Sequence, residues 1–221
     1  WPDNSPGLDA GQANPLVDPH VRRAIYMAID RELIAEQLHE GLVVPAYQPM
    51  LPTSFSFASE VEVPEYDPEL AKQILDDAGY RMGPDGIRID PGTGERLREM
   101  TILTPTMEVA PTSAQLGVMV AEAARSIGLP VRAEPLDFNV IVERILTDLG
   151  GDRDFDMYAL AWGLERFPRH LYTLFHSDFD VDGGDNTPGL RDPDYDAAAE
   201  KVWTPRSLEE AMEAAYEAQE I

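Results

Sequence analysis

The 221-residue chain has no cysteine. That excludes a disulfide framework, thiolate metal sites and a cysteine nucleophile. Lysine is nearly missing as well: of 17 basic residues only Lys72 and Lys201 are lysines, and they stand against 41 acidic side chains for a net charge of −24. Such a surface repels the phosphates of nucleic acid, which is therefore excluded as a partner. No apolar run approaches the ~20 residues that a membrane-spanning helix requires. No serine sits in a G-x-S-x-G elbow and no glycine-rich phosphate loop follows a strand, so no common catalytic motif is present. The chain opens at Trp1 without a basic leader or an apolar signal core, and it closes at Glu220-Ile221 inside a helical pattern. We therefore expect a piece of a longer protein whose targeting segment lies outside it.

What is present is enough for a core. Apolar residues make up 43% of the chain, close to the ordinary globular value of ~45–50%. The length suggests one large domain or two small ones. Carboxylates at this density repel one another in dilute buffer. In molar salt, where the Debye length is ~3 Å, that repulsion is screened. The composition thus points to a salt-adapted protein, with an ordinary acidic secreted domain as the alternative.

Residues 1–17 are rich in Pro, Gly, Asn and Asp, lack periodicity and read as an entering arm. Asp18 and Pro19 begin a helix over 18–40, in which Val21, Ala24, Ile25, Ala28, Ile29, Leu33 and Leu38 recur at helical spacing before Gly41. Residues 42–66 form a long irregular segment of the kind that often carries function. Asp67-Pro68 opens a second helix that Gly79 closes. Ile87 to Ile89 and Leu97 to Leu103 flank the turn 90–94 as an expected hairpin. A helix over 112–127, a strand over 130–136, a helix capped by Asp137 and a buried strand from Phe155 to Trp162 follow. A short helix around 168–176, an acidic loop to 189 and two helices begun by Asp192-Pro193 and by Ser207 complete the chain. Ser207 with Glu210 reads as a capping box. The alternation after residue 100 indicates an α/β layer with at least three strands.

Two constellations could carry chemistry. Asp178, Asp180 and Asp182 before Gly183 resemble the opening of a calcium loop, but the twelfth position, which should supply a bidentate glutamate, is Gly189. A solvated loop is the plainer reading; a metal-dependent hydrolase using the acids of 178–185 is the rival. None of His20, His39, His170 and His176 is paired at the i, i+4 spacing of a zinc site, so we expect no metal and no cofactor. The second constellation is the segment 158–168. There an apolar strand delivers Trp162, Gly163, Glu165 and Arg166 to its C-terminal end, the place where open α/β sheets bind ligands. An aromatic wall with one acid suits an amphipathic solute bearing an ammonium group. Equally, Trp162 could belong to the core while Glu165 and Arg166 pair at the surface.

The stretch from Asn14-Pro15-Leu16 through Asp18, Val21-Arg22-Arg23-Ala24-Ile25 and Ala28-Ile29-Asp30-Arg31 resembles a signature of the family 5 extracellular solute-binding proteins of ABC importers, the dipeptide-, oligopeptide- and nickel-binding group. Gly41 to Pro52 is similar to the family's next segment. So are Tyr66-Asp67-Pro68 with Ala71, Leu75, Ala78, Gly79 and Tyr80, then Gln115 with Gly128, Asp156 to Trp162, and Asn186 to Asp196. The resemblance spans roughly 14–220. It implies an α/β, periplasmic-binding-protein-like (type II) fold of two hinged lobes. Residues 18–221 would be the C-terminal ligand-binding lobe, a mixed sheet flanked by helices, with the N-terminal lobe and the return segment absent. It implies capture of peptides or other small amphipathic solutes outside the cell for an ABC permease, in a periplasmic or lipid-anchored receptor that is not an enzyme. A ligand-free extracellular interaction domain is a further alternative. In peptide-binding members a W-x-x-D aspartate takes the peptide ammonium; Glu165 stands at that position here. Arg166-Phe167-Pro168-Arg169 replaces the family's Y-x-D-P, which would fit a ligand that also bears an anion. By resemblance, Trp162 and Gly163 would supply contact surface, Glu165 an ammonium anchor, Arg166 an anion contact and Asn186 a hydrogen bond from the loop.

The charge balance generates one prediction. A thermal melt should rise substantially between low salt and molar KCl; equal stability in both would refute salt adaptation.

Overall fold

The computed structural model describes residues 14–147, 153, 155–165 and 167–221. Arg166 and most of the entering arm lie outside them. Among the described residues a three-stranded parallel sheet has the order β2-β1-β3, with β1 at Met100–Pro105, β2 at Val131–Leu136 and β3 at Met157–Tyr158. The central strand β1 is buried at five of its six positions, as a parallel strand covered on both faces must be. The period-2 pleat sends Met100 and Ile102 to one face and Leu103 to the other. The edge strand β2 carries Pro135, which an interior strand would tolerate poorly.

The first face packs against α1 (Pro19–Ala28), α3 (Pro68–Asp77) and α4 (Pro111–Ser126). Gly117 lets α4 lie close on the sheet, since a Cβ there would meet the Thr104 methyl at 2.2 Å. Leu103 on the second face packs with Ile141 and Ile145 of α5 (Phe138–Leu146) and with Phe155. A separate apolar cluster joins α6 (His170–Thr173), α7 (Pro193–Trp203) and α8 (Leu208–Glu220) around Met50. Residues 42–66 have no helix or strand and tie the two parts together. The Tyr26 hydroxyl donates to the Tyr47 carbonyl (2.5 Å), and Gln219 in α8 bonds the backbone of Ser56 (2.8 Å) and Ala58 (3.1 Å).

Several sequence expectations need correction. The single helix over 18–40 is two, because Asp30 accepts the Leu33 amide and starts α2 (Arg31–His39) afresh after the break at Ile29. The reversal at its end begins at Glu40, which is already left-handed (φ 53°) before Gly41. The hairpin shrinks to isolated bridges, Met82 with Arg88 and Ile89 with Arg96. Its first arm is drawn away by Arg88, whose buried guanidinium bonds the carbonyls of Lys72, Tyr80 and Ile127 and the Asp76 carboxylate. The capping box forms by half: Ser207 Oγ accepts the Glu210 amide, but the Glu210 carboxylate takes the amide of Arg206 rather than of Ser207.

The expected strand 155–162 pairs over two residues only, for a local reason at each end. Before it, the Thr101 amide, which faces β3, is taken by the Asp156 carboxylate (2.9 Å), and the same carboxylate holds Arg98 through both terminal nitrogens (2.6 and 3.1 Å). After it, Ala159 donates to Leu103 (2.9 Å), and the next rung of a parallel ladder would need the N–H of Pro105, which proline lacks. The chain from 160 onward therefore leaves the sheet.

Asp156 is buried and most of the Arg98 side chain is covered as well, so Asp156→Ala removes one half of the pair and should cost about 3–5 kcal/mol. Urea denaturation would read this; a loss under about 1 kcal/mol, the worth of a surface pair, would contradict it.

Candidate functional site

The segment released from the sheet runs past the carboxyl ends of the parallel strands, where the backbone is free to line a crevice. There it forms one wall of a cavity of about 300 Å³. Trp162, Gly163 and Glu165 all line it, and all three are exposed. Trp162 is thus not a core residue: 40% of its surface is open. The opposite wall comes from α6 and the end of α7, which bring Arg169, His170 and Trp203.

Trp203 is held by its neighbours. Tyr172 stacks on it at 5.1 Å with planes 20° apart, and the Arg169 guanidinium sits 5.3 Å from its ring centre. His170 is buried, and its Nε2 lies 3.1 Å from the Pro49 carbonyl. A carbonyl only accepts, so Nε2 carries the proton and Nδ1 keeps a lone pair. That Nδ1 is buried without a hydrogen-bond partner among the described residues. Burial holds the His170 pKa below the ordinary histidine value and keeps the ring neutral, with the Pro49 bond opposing it weakly.

The acidic loop shapes the cavity from below. Asp180 is buried and ion-paired with both Arg153 and Arg191. Each of its oxygens is engaged by a guanidinium, so the expected solvated loop is buried at Asp180, and the rival calcium reading finds its central carboxylate already paired. Among the described residues no group of three or more His, Asp or Glu side chains could hold a metal ion. Asn186 also needs correction as a ligand contact. It is fully buried, its amide nitrogen donates to the carbonyls of Phe175, His176 and Leu190, and its oxygen accepts from the amides of Gly189 and Leu190. It has nothing left to offer a solute; it folds the loop. The loop so folded places Asp185 in the cavity and Thr187 against the Tyr158 hydroxyl (2.6 Å), whose pKa burial pushes up.

The cavity therefore joins two tryptophans, two carboxylates, one guanidinium and a neutral histidine. That set suits a solute with apolar body and an ammonium group, held by ring faces and ion pairs. Sequence reasoning named Trp162, Gly163 and Glu165, which line this cavity, but none of the residues of the far wall. Trp203 stands at the end of a regular helix pattern, and nothing local marks it as facing a crevice.

Comparison with known proteins agrees with this fold. Residues 6–182 match the family described as bacterial extracellular solute-binding proteins, family 5 Middle. The oligopeptide-binding protein AppA of Bacillus subtilis is 31% identical over 163 residues, which is 72% of this chain and 28% of the relative. The structure of AppA in complex with a nonapeptide superposes with a TM-score of 0.79 at 26% identity, covering 92% of this chain and 39% of that one. NikZ from Campylobacter jejuni, in complex with Ni(L-His), gives a TM-score of 0.79 at 23% identity over 94% of this chain and 40% of that one, a likeness of fold. The chain thus spans well under half the length of these proteins.

The depressed His170 pKa has a testable consequence. The unfolded state binds the proton more readily, so stability falls as pH drops below the unfolded histidine value of ~6.5 and keeps falling toward the lower folded value. His170→Gln, which retains an amide donor for Pro49, should flatten the melting-temperature profile between about pH 6.5 and 5; an unchanged slope would contradict a buried neutral ring.

Proposed function

The chain belongs to the bacterial extracellular solute-binding proteins of family 5, and from that premise we propose that it is the ligand-capturing lobe of an ABC importer's receptor for peptide-like solutes. In this reading residues 18–221 form one lobe, residues 1–17 lead into it, and a second lobe closes over the solute. Ligand shifts the open–closed equilibrium only by the difference in its contacts with the two states. The closed form then docks on the permease at the outer face of the membrane, whether the receptor is free in a periplasm or lipid-anchored. No helix among the described residues is long and apolar enough to cross a membrane. The role is to hold cargo rather than to transform it.

The observation that carries this reading is the exposure of Trp162 and Glu165 on one cavity wall at the carboxyl end of the sheet. A tryptophan ring left open beside a carboxylate on one concave wall offers an apolar face and a charge to the same solute. Glu165 would anchor the solute's ammonium, Trp162 its apolar body, and the bare backbone of Gly163 allows close approach, with no atom within 4 Å of an added Cβ. Arg166, next in the chain, would add an anion contact. Peptide binding is the named role of two relatives, the oligopeptide-binding protein AppA and the dipeptide-binding protein of Escherichia coli. The acid excess fits work in concentrated salt outside the cell.

In the full-length receptor, Glu165→Gln should weaken binding of peptides with a free amino terminus by roughly ten- to a hundredfold, the worth of one charged hydrogen bond. Calorimetry with a dipeptide series tests this. Unchanged affinity would remove Glu165 from the anchor role.

A further inference from the structure

A second cavity, of about 720 Å³, lies at the amino ends of β1 and β2, the opposite end of the sheet from the cavity described above. Its walls come from stretches distant in sequence. The pairing of Met100 with Val131 sets the lead-in to β1 beside the turn between α4 and β2. The left-handed Gly128 (φ 88°) makes that turn, and its carbonyl accepts the Arg88 amide. Leu97, Leu129 and Val131 are buried and give the cavity an apolar floor. Three arginines line it, Arg96, Arg98 and Arg125, a concentration of positive charge in a chain with 17 basic and 41 acidic residues.

The charges at its rim differ in their commitments. Asp85 and Glu99 also line the cavity, and each is engaged by a guanidinium, Asp85 by Arg96 (3.2 Å) and Glu99 by Arg132 (2.7 Å). Arg98 is held by Asp156. Arg125 donates from Nη1 to the Val131 carbonyl (2.6 Å), which fixes the group at the cavity wall. Its other N–H donors make neither a hydrogen bond nor an ion pair among the described residues. Pair by pair, the rim is therefore neutral except for one positive charge beside an apolar floor. In a protein of net charge −24 the field repels anions from most of the surface. An anion binds where a local cation with open donors receives it, and a guanidinium edge takes a carboxylate through two parallel hydrogen bonds.

We infer that this cavity is a second ligand site, for a small organic monoanion whose carboxylate sits on Arg125 and whose apolar body covers Leu97, Leu129 and Val131. Its volume of about 720 Å³ falls within the ~300–1,000 Å³ of small-molecule sites. One net positive charge favours a monoanion over a dianion, and the apolar floor favours an organic body over a bare inorganic ion. The site shares no lining residue with the cavity at the carboxyl ends, and it stands whatever solute that cavity takes.

The test titrates the full-length receptor with octanoate by calorimetry, with octylammonium, octanol and inorganic sulfate as controls. Octanoate should bind saturably, while octylammonium and sulfate should not. Arg125→Gln should weaken octanoate by roughly ten- to a hundredfold, the worth of a charged hydrogen bond, and octanol should be weaker than octanoate by a similar factor. Arg125→Lys, which keeps the charge but not the planar fork, should fall between. Addition of a dipeptide should leave octanoate affinity unchanged. A diazirine-bearing octanoate should crosslink within 85–99 or 125–131. No saturable octanoate binding would overturn the proposal, as would undiminished affinity in a folded Arg125→Gln variant or octylammonium binding as tightly. Competition by the dipeptide, or crosslinks confined to 162–174 and 203, would place octanoate in the first cavity and overturn it as well, while leaving solute capture standing. If Arg125→Gln fails to fold, the crosslink map and the octylammonium comparison on the wild type decide.

Discussion

The carboxylate of Asp156 occupies the place where a strand rung would otherwise form, and the position of everything beyond it follows. It takes the Thr101 amide and both terminal nitrogens of Arg98, so the start of β3 is fixed against the centre of the sheet. Four residues of β1 further on, Pro105 withholds the amide that would continue the ladder. Between these two points β3 has room for Met157 and Tyr158 and little more. The chain then leaves the sheet as a free segment, which brings Trp162, Gly163 and Glu165 to the cavity. A buried charge of this kind contributes little net stability over an apolar alternative, but removing one partner is expensive. Its effect here is positional: one carboxylate sets where pairing begins, and one missing N–H sets where it stops.

The same use of carboxylates recurs below the cavity. Asp180 gathers Arg153 and Arg191, while Asn186 spends its whole amide on the backbone of the loop. The loop is therefore tied down by side chains, with only the short 3-10 turn Ser177–Phe179 as regular structure among its described residues. Rigidity matters because a solute pays less to bind walls that are already in place. On the other side Tyr172 and Arg169 flank Trp203, and the Pro49 carbonyl fixes His170. The irregular segment 42–66 thus has a mechanical part in the site, since it joins the sheet side to the helices that carry the second wall.

An aromatic-walled cavity at the carboxyl ends of parallel strands, in a member of a solute-binding family, fits capture better than catalysis. Of the acids of 178–185 that sequence alone would offer to a hydrolase, the buried Asp180 is committed to two arginines. What the cavity keeps open are groups suited to hold charge and apolar surface.

Much of this was legible in the chain by itself. Asp-Pro pairs at 18–19, 67–68 and 192–193 mark three helix starts, and each aspartate accepts a backbone amide in the fold. The α/β layering followed from hydrophobic period and the family from the order of its segments, whereas the expected mixed sheet is parallel among the described residues. These features are local or nearly so, and periodicity and capping encode them directly. The break at Asp30 was also written locally, though a continuous apolar stripe concealed it. Tertiary structure alone decided the rest. That Asn186 turns inward, that Asp180 meets Arg153 across 27 residues, and that Trp203 with Arg169 faces Trp162 all depend on groups brought together by packing. No periodicity records such meetings, because the burial of one side chain is set by the elements that cover it and not by its neighbours in sequence.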